Sequence, residues 1–196
     1  MSTDIRALLE SSMKTEQLHP DDIPELDLYM DQIISLMSTH LGKDGEKEPL
    51  TRTMIHNYSK AGVISPVKGK KYSKEHILQM LAVYSLKNTL TITQIKRILS
   101  GITQNGGGAK ELSDCFHTQL ERRETISTQL VDYLEQMTNE HDITLDTPQS
   151  ALSFLLTLTD LTDTLTAFAS AITQKYFPEP PEKPGKKQKS NKKASR

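Results

Sequence analysis

The sequence predicts a mainly α-helical protein, in which a helical N-terminal head with a small β-hairpin wing is followed by a long antiparallel helical hairpin. Apolar residues recur at three- and four-residue steps through most of the chain, which is the spacing of amphipathic helices. Residues 63–73 interrupt this spacing with β-favouring side chains around a proline and a glycine. The run Asn-Gly-Gly-Gly at 105–108 separates the head from two long helical stretches.

The head is predicted to begin with a short helix around Ile5 and Leu8. A break at residues 19–24 precedes an amphipathic helix that ends at Gly42. The apolar residues that define one face of this second helix are Leu26, Tyr29, Ile33, Leu36 and Met37.

The rest of the head follows from capping residues. Thr51 is a suitable N-cap and Gly62 a suitable C-cap for a short helix between them. Residues 63–73 then form the predicted hairpin. Ser73, with His76 three residues later, caps the next helix, and Thr91 caps the last helix of the head.

The domain organisation follows from the same signals. We predict a head over residues 1–101, a Gly-rich linker over 102–108, a helical dimerisation or effector domain over 109–177, and a disordered basic tail over 178–196. The first long helix, from about Ala109 to Glu140, has a heptad frame with two polar interruptions, Gln119 and Arg123. The apolar positions of this frame are Leu112, Phe116, Ile126, Leu130, Tyr133 and Met137. The second, from about Pro148 to Phe177, is so apolar that it needs burial on more than one side. We therefore expect the pair to meet a second subunit through Phe154, Leu158, Leu161, Leu165, Phe168 and Ile172.

Charge is strongly segregated along the chain, although the formal net charge is only -1. Residues 50–100 hold 9 basic and 1 acidic side chains, whereas residues 1–49 and 101–177 each hold 4 basic and 11 acidic ones. A basic segment between acidic flanks predicts that one face of the head binds a polyanion. The tail holds 7 basic and 2 acidic residues and is either a solubilising tail or a DNA-binding arm.

The basic segment resembles the DNA-binding head of MerR-type transcriptional regulators, a winged helix-turn-helix. The resemblance rests on Asn57-Tyr58 before Gly62, on Pro66, and on Lys71-Tyr72-Ser73. The N-terminal half also resembles an uncharacterised bacterial family known as a domain of unknown function. Where MerR-type heads have two recognition arginines, this chain has Thr53 and His56.

The resemblance and the charge together imply a bacterial DNA-binding transcriptional regulator that reads an inverted-repeat operator as a homodimer. Lys and Arg would neutralise phosphates, and a short helix would place Arg, His and Asn side chains against base edges. The predicted DNA-binding residues are Thr51, Arg52, Thr53, His56, Asn57, Tyr58, Lys60, Lys68, Lys70, Lys71 and Tyr72. The alternative hypothesis is a protein–protein interaction module, such as an adaptor or anti-repressor, with a vestigial DNA-binding head.

Other functional classes lack support in the sequence. No apolar segment suggests a signal peptide or a membrane span, so we expect a cytoplasmic protein. The single cysteine, Cys115, excludes a cysteine metal cage, and the six histidines are scattered. We therefore predict no catalytic site, no metal and no cofactor, and we expect any small-molecule or protein effector to bind at the C-terminal helices.

Overall fold

The computed structural model describes residues 5–13, 18–41, 50–67, 69–104 and 106–179. Within these ranges the chain forms seven α-helices, one short 3₁₀ helix (Pro20–Asp22) and a two-stranded antiparallel sheet, so the mainly helical prediction is confirmed. The helices are α1 (Ile5–Met13), α2 (Met30–Leu41), α3 (Arg52–Lys60), α4 (Lys74–Leu86), α5 (Ile92–Gln104), α6 (Ala109–Glu140) and α7 (Pro148–Tyr176), and the strands are β1 (Leu28–Tyr29) and β2 (Lys71–Tyr72). The predictions for Lys68 and for residues 180–196 of the tail lie outside the described residues.

Helix α4 is the centre of the head. Every residue from Ile77 to Tyr84 is buried, so this helix is covered on all sides rather than along one face. The other members of the core come from segments on both sides of α4 in the sequence: Leu18, Ile23, Ile33, Met37, Leu50, Ile55, Val63, Ile64, Leu90, Ile95, Leu99 and Leu112. Ile55 in α3 and Ile64 just after it are each 2% or less exposed, so both side chains anchor the α3 region on this core.

The small sheet is not the predicted hairpin. Strand β2 pairs with β1, which precedes α2, in the register Leu28↔Tyr72 and Tyr29↔Lys71. The segment after α3 is unavailable for pairing because its N–H groups have other acceptors: Val63 and Ile64 donate to the Tyr58 carbonyl, and Ser65 donates to the Gln79 side chain. Proline at 66 removes one further donor. The prediction of a hairpin over residues 63–73 is therefore wrong, and α2 begins only at Met30, after Leu26 and Tyr29.

The predicted helix caps are confirmed. The Thr51 hydroxyl accepts a hydrogen bond from the Met54 N–H at 3.2 Å, and Ser73 forms a capping box with His76. At the C-terminal end of α3, Gly62 has a φ of +66°, the left-handed conformation that follows many helices. These caps place the start and the end of α3 as the sequence predicted.

Helix α6 begins against the head. Helix α5 continues to Gln104, inside the segment predicted as a linker, and Leu112 near the start of α6 belongs to the head core. The Gly108 N–H donates to the Glu111 carboxylate at 2.6 Å, and this hydrogen bond lowers the pKa of Glu111 below its usual value. The start of α6 is thus capped and packed on α4.

Helix α7 runs back from the turn after α6 to the head. Near its end, the Gln94 amide of α5 donates to the Ser170 hydroxyl at 2.6 Å. Gly101 leaves the space that the Phe177 ring occupies, since a Cβ at this position would lie 2.8 Å from the ring. Arg97 and Glu179 form an ion pair at 3.3 Å. Both long helices therefore have one end at the head. None of the helices described by the structure is long and apolar enough to cross a membrane.

The long helices leave apolar side chains in solvent. On α7, Phe154 is buried within the chain and Leu158 and Leu161 are half-buried, whereas Leu165, Phe168 and Ile172 are exposed. On α6, Val131 and Leu134 are buried, while three residues of the predicted heptad frame are exposed: Ile126, Leu130 and Tyr133. The N-terminal helix α1 lies along this part of α6, where Arg6 forms ion pairs with Asp132 and Glu135.

Candidate nucleic-acid interface

One face of α3 consists of exposed polar side chains. Arg52, Thr53, His56, Asn57 and Lys60 are all exposed, and their spacing places them on one side of the helix. Ile55 on the opposite side is completely buried in the core. We call this set of five residues the α3 face. It has the size and the donor and acceptor groups that reading a major groove requires.

Tyr58 lies at the edge of the α3 face. Its ring is half-buried against the core, and its backbone carbonyl accepts the hydrogen bond from Val63 at 2.9 Å. Burial raises the pKa of the Tyr58 hydroxyl above its usual value, so the group remains a neutral hydrogen-bond donor near pH 7. Tyr58 therefore combines a packing role with a hydroxyl that can donate to a phosphate.

Arg52 is paired within the chain. Its guanidinium donates to the Asp31 carboxylate at the start of α2, and the two side chains are 65% and 75% exposed. Exposed pairs of this kind contribute at most about 1 kcal/mol. A phosphate can therefore replace Asp31 at little cost, and Arg52 can switch from α2 to a ligand.

Lys70, Lys71 and Tyr72 form a second basic surface beside the turn at Gly69. Lys70 is exposed, and Lys71 on β2 lies with its Nζ atom 5.2 Å from the centre of the Tyr29 ring. The half-buried Tyr72 ring meets the His76 ring edge-on, with 6.0 Å between centroids. We call Lys70, Lys71 and Tyr72 the β2 edge.

Several basic residues of the head have structural partners. Lys74 pairs with Glu25 at 2.6 Å, and Lys96 donates to the Ala61 carbonyl at 2.7 Å, where it caps the C-terminal end of α3. Lys87 lies over the Tyr84 ring, and Arg97 pairs with Glu179. Among the described basic residues of segment 50–100, Lys60 and Lys70 have no such partner. The charge available to a ligand is therefore concentrated at the α3 face and the β2 edge.

Gln79 joins α4 to the segment between α3 and β2, and this role was not predicted from the sequence. It is 1% exposed in the middle of α4. Its carbonyl oxygen accepts from the Ser65 N–H at 2.7 Å, and its amide donates to the Ser65 hydroxyl at 2.8 Å and to Glu75 at 3.0 Å. The signal that could have identified it is a polar residue within the otherwise apolar run from Ile77 to Tyr84.

We expect Gln79→Met to lower the free energy of unfolding by about 2 kcal/mol, because it leaves the half-buried Ser65 N–H without its acceptor. Ser65→Ala is the matched control, since it removes one hydrogen bond and leaves the backbone bond to Gln79 in place; we expect a loss of about 1 kcal/mol or less. Urea unfolding followed by circular dichroism measures both. Equal stability of Gln79→Met and the unaltered chain would contradict this role.

A family model described as "Domain of unknown function (DUF1836)" matches residues 18–118. This range begins at Leu18 of the core, includes the α3 face and the β2 edge, and ends in α6 just after His117. No curated protein and no solved structure shows significant similarity to the chain.

Proposed function

The chain belongs to the DUF1836 family, and we propose that it is a bacterial, cytoplasmic transcriptional regulator that binds double-stranded DNA as a homodimer with MerR-like heads. The observation that supports this proposal best is the α3 face, a capped and exposed polar helix surface, which is accompanied by the basic β2 edge. Both belong to the segment with 9 basic and 1 acidic residues.

The two surfaces have different roles in the proposed complex. Lys60, Lys70 and Lys71 neutralise phosphates and release counterions, which gives affinity for any duplex. Asn57 and Arg52 on the α3 face present groups that pair with adenine and guanine edges in the major groove. The Tyr58 hydroxyl donates to a phosphate and fixes the register of α3.

The acidic parts of the chain limit DNA contact to this face. Residues 1–49 and 101–177 are each strongly acidic and repel the phosphate backbone. Within the head, the Asp31 carboxylate pairs with the Arg52 guanidinium until a DNA phosphate displaces it. Two heads joined through the exposed part of α7 would read the two halves of an inverted repeat.

An effector is best placed at the long helices. The start of α6 packs on the core around α4, and the end of α7 rests on α5 through Phe177 and Ser170. A small molecule or protein that shifts either helix would therefore move elements that support the α3 face.

Binding to DNA is tested by selecting duplexes from a random pool and measuring the affinity of the selected duplex at several salt concentrations. We expect tight binding whose logarithm falls linearly with the logarithm of the salt concentration. A chain that binds neither selected nor random duplex at low salt would overturn the proposal.

A second function, a protein–protein interaction module such as an adaptor or anti-repressor, is favoured by two observations. Arg52 is engaged by Asp31, and Leu152, Leu155 and Leu156 on α7 are each more than half exposed. Apolar surface of this kind fits a helical protein partner. In that case the chain would bind no duplex, and its sedimentation would be that of a monomer at micromolar concentration.

A further inference from the structure

His19, Asp21 and His117 meet at one point on the surface of the head. The His19 Nδ1 atom lies 3.3 Å from Asp21 Oδ2, and the His117 Nε2 atom lies 3.1 Å from Asp21 Oδ1. The two imidazole rings are stacked, with 4.9 Å between their centroids. One potential ligand atom from each residue can be chosen so that all three lie within 4.8 Å of one another.

Both sides of this cluster are held by buried neighbours. Asp21 lies in the 3₁₀ helix Pro20–Asp22 and His19 is its N-cap, and the buried residues Leu18 and Ile23 anchor this segment. His117 lies on α6, five residues after the core residue Leu112. The side chains are thus supplied by two rigid segments that are far apart in sequence.

The donor spacing is that of a metal shell. In a tetrahedral site with bonds of about 2.0–2.1 Å, neighbouring donor atoms lie roughly 3.3 Å apart. The His19 Nδ1–Asp21 Oδ2 distance of 3.3 Å and the His117 Nε2–Asp21 Oδ1 distance of 3.1 Å, each to a different carboxylate oxygen, are close to this value. A set of one donor atom per residue, all within 4.8 Å of one another, would have to draw together around the ion.

His117 has an unused ring nitrogen. Its Nε2 atom is buried and makes no hydrogen bond of suitable geometry with any described residue, although Asp21 Oδ1 is near. The His19 Nδ1 atom accepts only a long bond, 3.3 Å, from the Asp21 N–H. A metal ion would therefore take an unused nitrogen on His117 and replace only one long hydrogen bond on His19.

We propose that His19, Asp21 and His117 bind one divalent transition-metal ion, with Zn²⁺ as the best match. Two imidazole nitrogens and one carboxylate oxygen suit Zn²⁺, Co²⁺ or Ni²⁺, whereas Mg²⁺ and Ca²⁺ prefer sites made of oxygen alone. Three protein ligands leave a fourth position for water. The bound ion ties the segment before β1 to α6 and so stabilises the junction between the head and the long helices.

The test uses the full chain after dialysis against a chelator, titrated with Zn²⁺ in a calorimeter and with Co²⁺ in a spectrophotometer. We expect one ion per chain and visible Co²⁺ absorption bands typical of low-coordinate geometry. A saturating Zn²⁺ concentration, about a hundred times the dissociation constant, should raise the melting temperature by roughly 5–10 °C.

Variants separate this site from adventitious binding. His117→Gln and Asp21→Asn should each weaken Zn²⁺ binding at least tenfold and remove the shift in melting temperature. His141→Ala is the matched control, because His141 is an exposed histidine at the other end of α6, and it should bind as the unaltered chain does. Stoichiometric binding that survives His117→Gln, equal losses in His141→Ala, or no binding by the unaltered chain would each overturn the proposal. Circular dichroism confirms that every variant is folded.

Discussion

Replacing Leu165 and Phe168 together by glutamate is expected to convert the proposed homodimer into a monomer, with at least a thousandfold rise in its dissociation constant. The two side chains are 67% and 64% exposed in the single chain, and helical spacing places them on one face with Ile172. Burying a Leu or Phe side chain contributes about 1.5–3 kcal/mol, and a two-fold symmetric interface buries each of them twice. Sedimentation equilibrium over a range of protein concentrations measures the change.

The matched control for this double variant is Gln174→Glu, which adds a negative charge to the exposed surface of α7 away from Leu165 and Phe168. It should leave the dimer intact. At protein concentrations too low for dimers to form, the double variant should have the same melting temperature as the unaltered chain, because both substituted side chains already face solvent. A double variant that remains dimeric would place the interface elsewhere, for example at Leu152, Leu155 and Leu156.

The helices of the head were predictable because their signals are local. Thr51, Ser73 and Thr91 each accept or share a hydrogen bond with a residue three positions later, so a few consecutive letters are enough to locate a helix start. The start of α6 follows in the same way from the glycines before Ala109, and the start of α7 follows from Thr147-Pro148.

The partner of β2 was not predictable from local signals. Residues 63–67 have strand-like composition, but their N–H groups are satisfied by Tyr58 and by Gln79, a residue on another helix. With that segment engaged, β2 pairs with β1, more than 40 residues earlier in the chain. A choice between a local and a distant hydrogen-bond acceptor for the same N–H groups leaves no periodic pattern in the sequence.

The face of α6 was predicted only in part. The heptad frame correctly includes Leu112, but in the second half of the helix the buried residues are Val131, Leu134 and Thr138, next to frame positions rather than on them. Helix α1 lies along this region through the ion pairs of Arg6, and it selects a different face from the regular repeat. The cluster of His19, Asp21 and His117 was missed for a similar reason, since the sequence separates its members by almost 100 residues.

Replacing Lys70 and Lys71 together by glutamate is expected to weaken binding to every duplex by roughly a hundredfold at low salt. Each lysine of the β2 edge is proposed to hold one phosphate, and a charge-assisted hydrogen bond contributes about 1.5 kcal/mol, or roughly tenfold. Loss of two phosphate contacts also reduces the slope of log affinity against log salt by roughly 2 per head. Binding of a fluorescent duplex across a salt series measures both quantities.

Two further variants show which kind of contact is lost. Lys110→Glu makes the same charge reversal at an exposed lysine at the start of α6, outside the basic segment, and should leave the slope unchanged. Asn57→Ala removes a base-reading group from the α3 face, so it should weaken binding to the selected duplex while sparing random DNA. If the lysine variant kept the full slope, the phosphates would lie elsewhere on the head. If Asn57→Ala lost affinity equally on all duplexes, α3 would contact the backbone and not the bases.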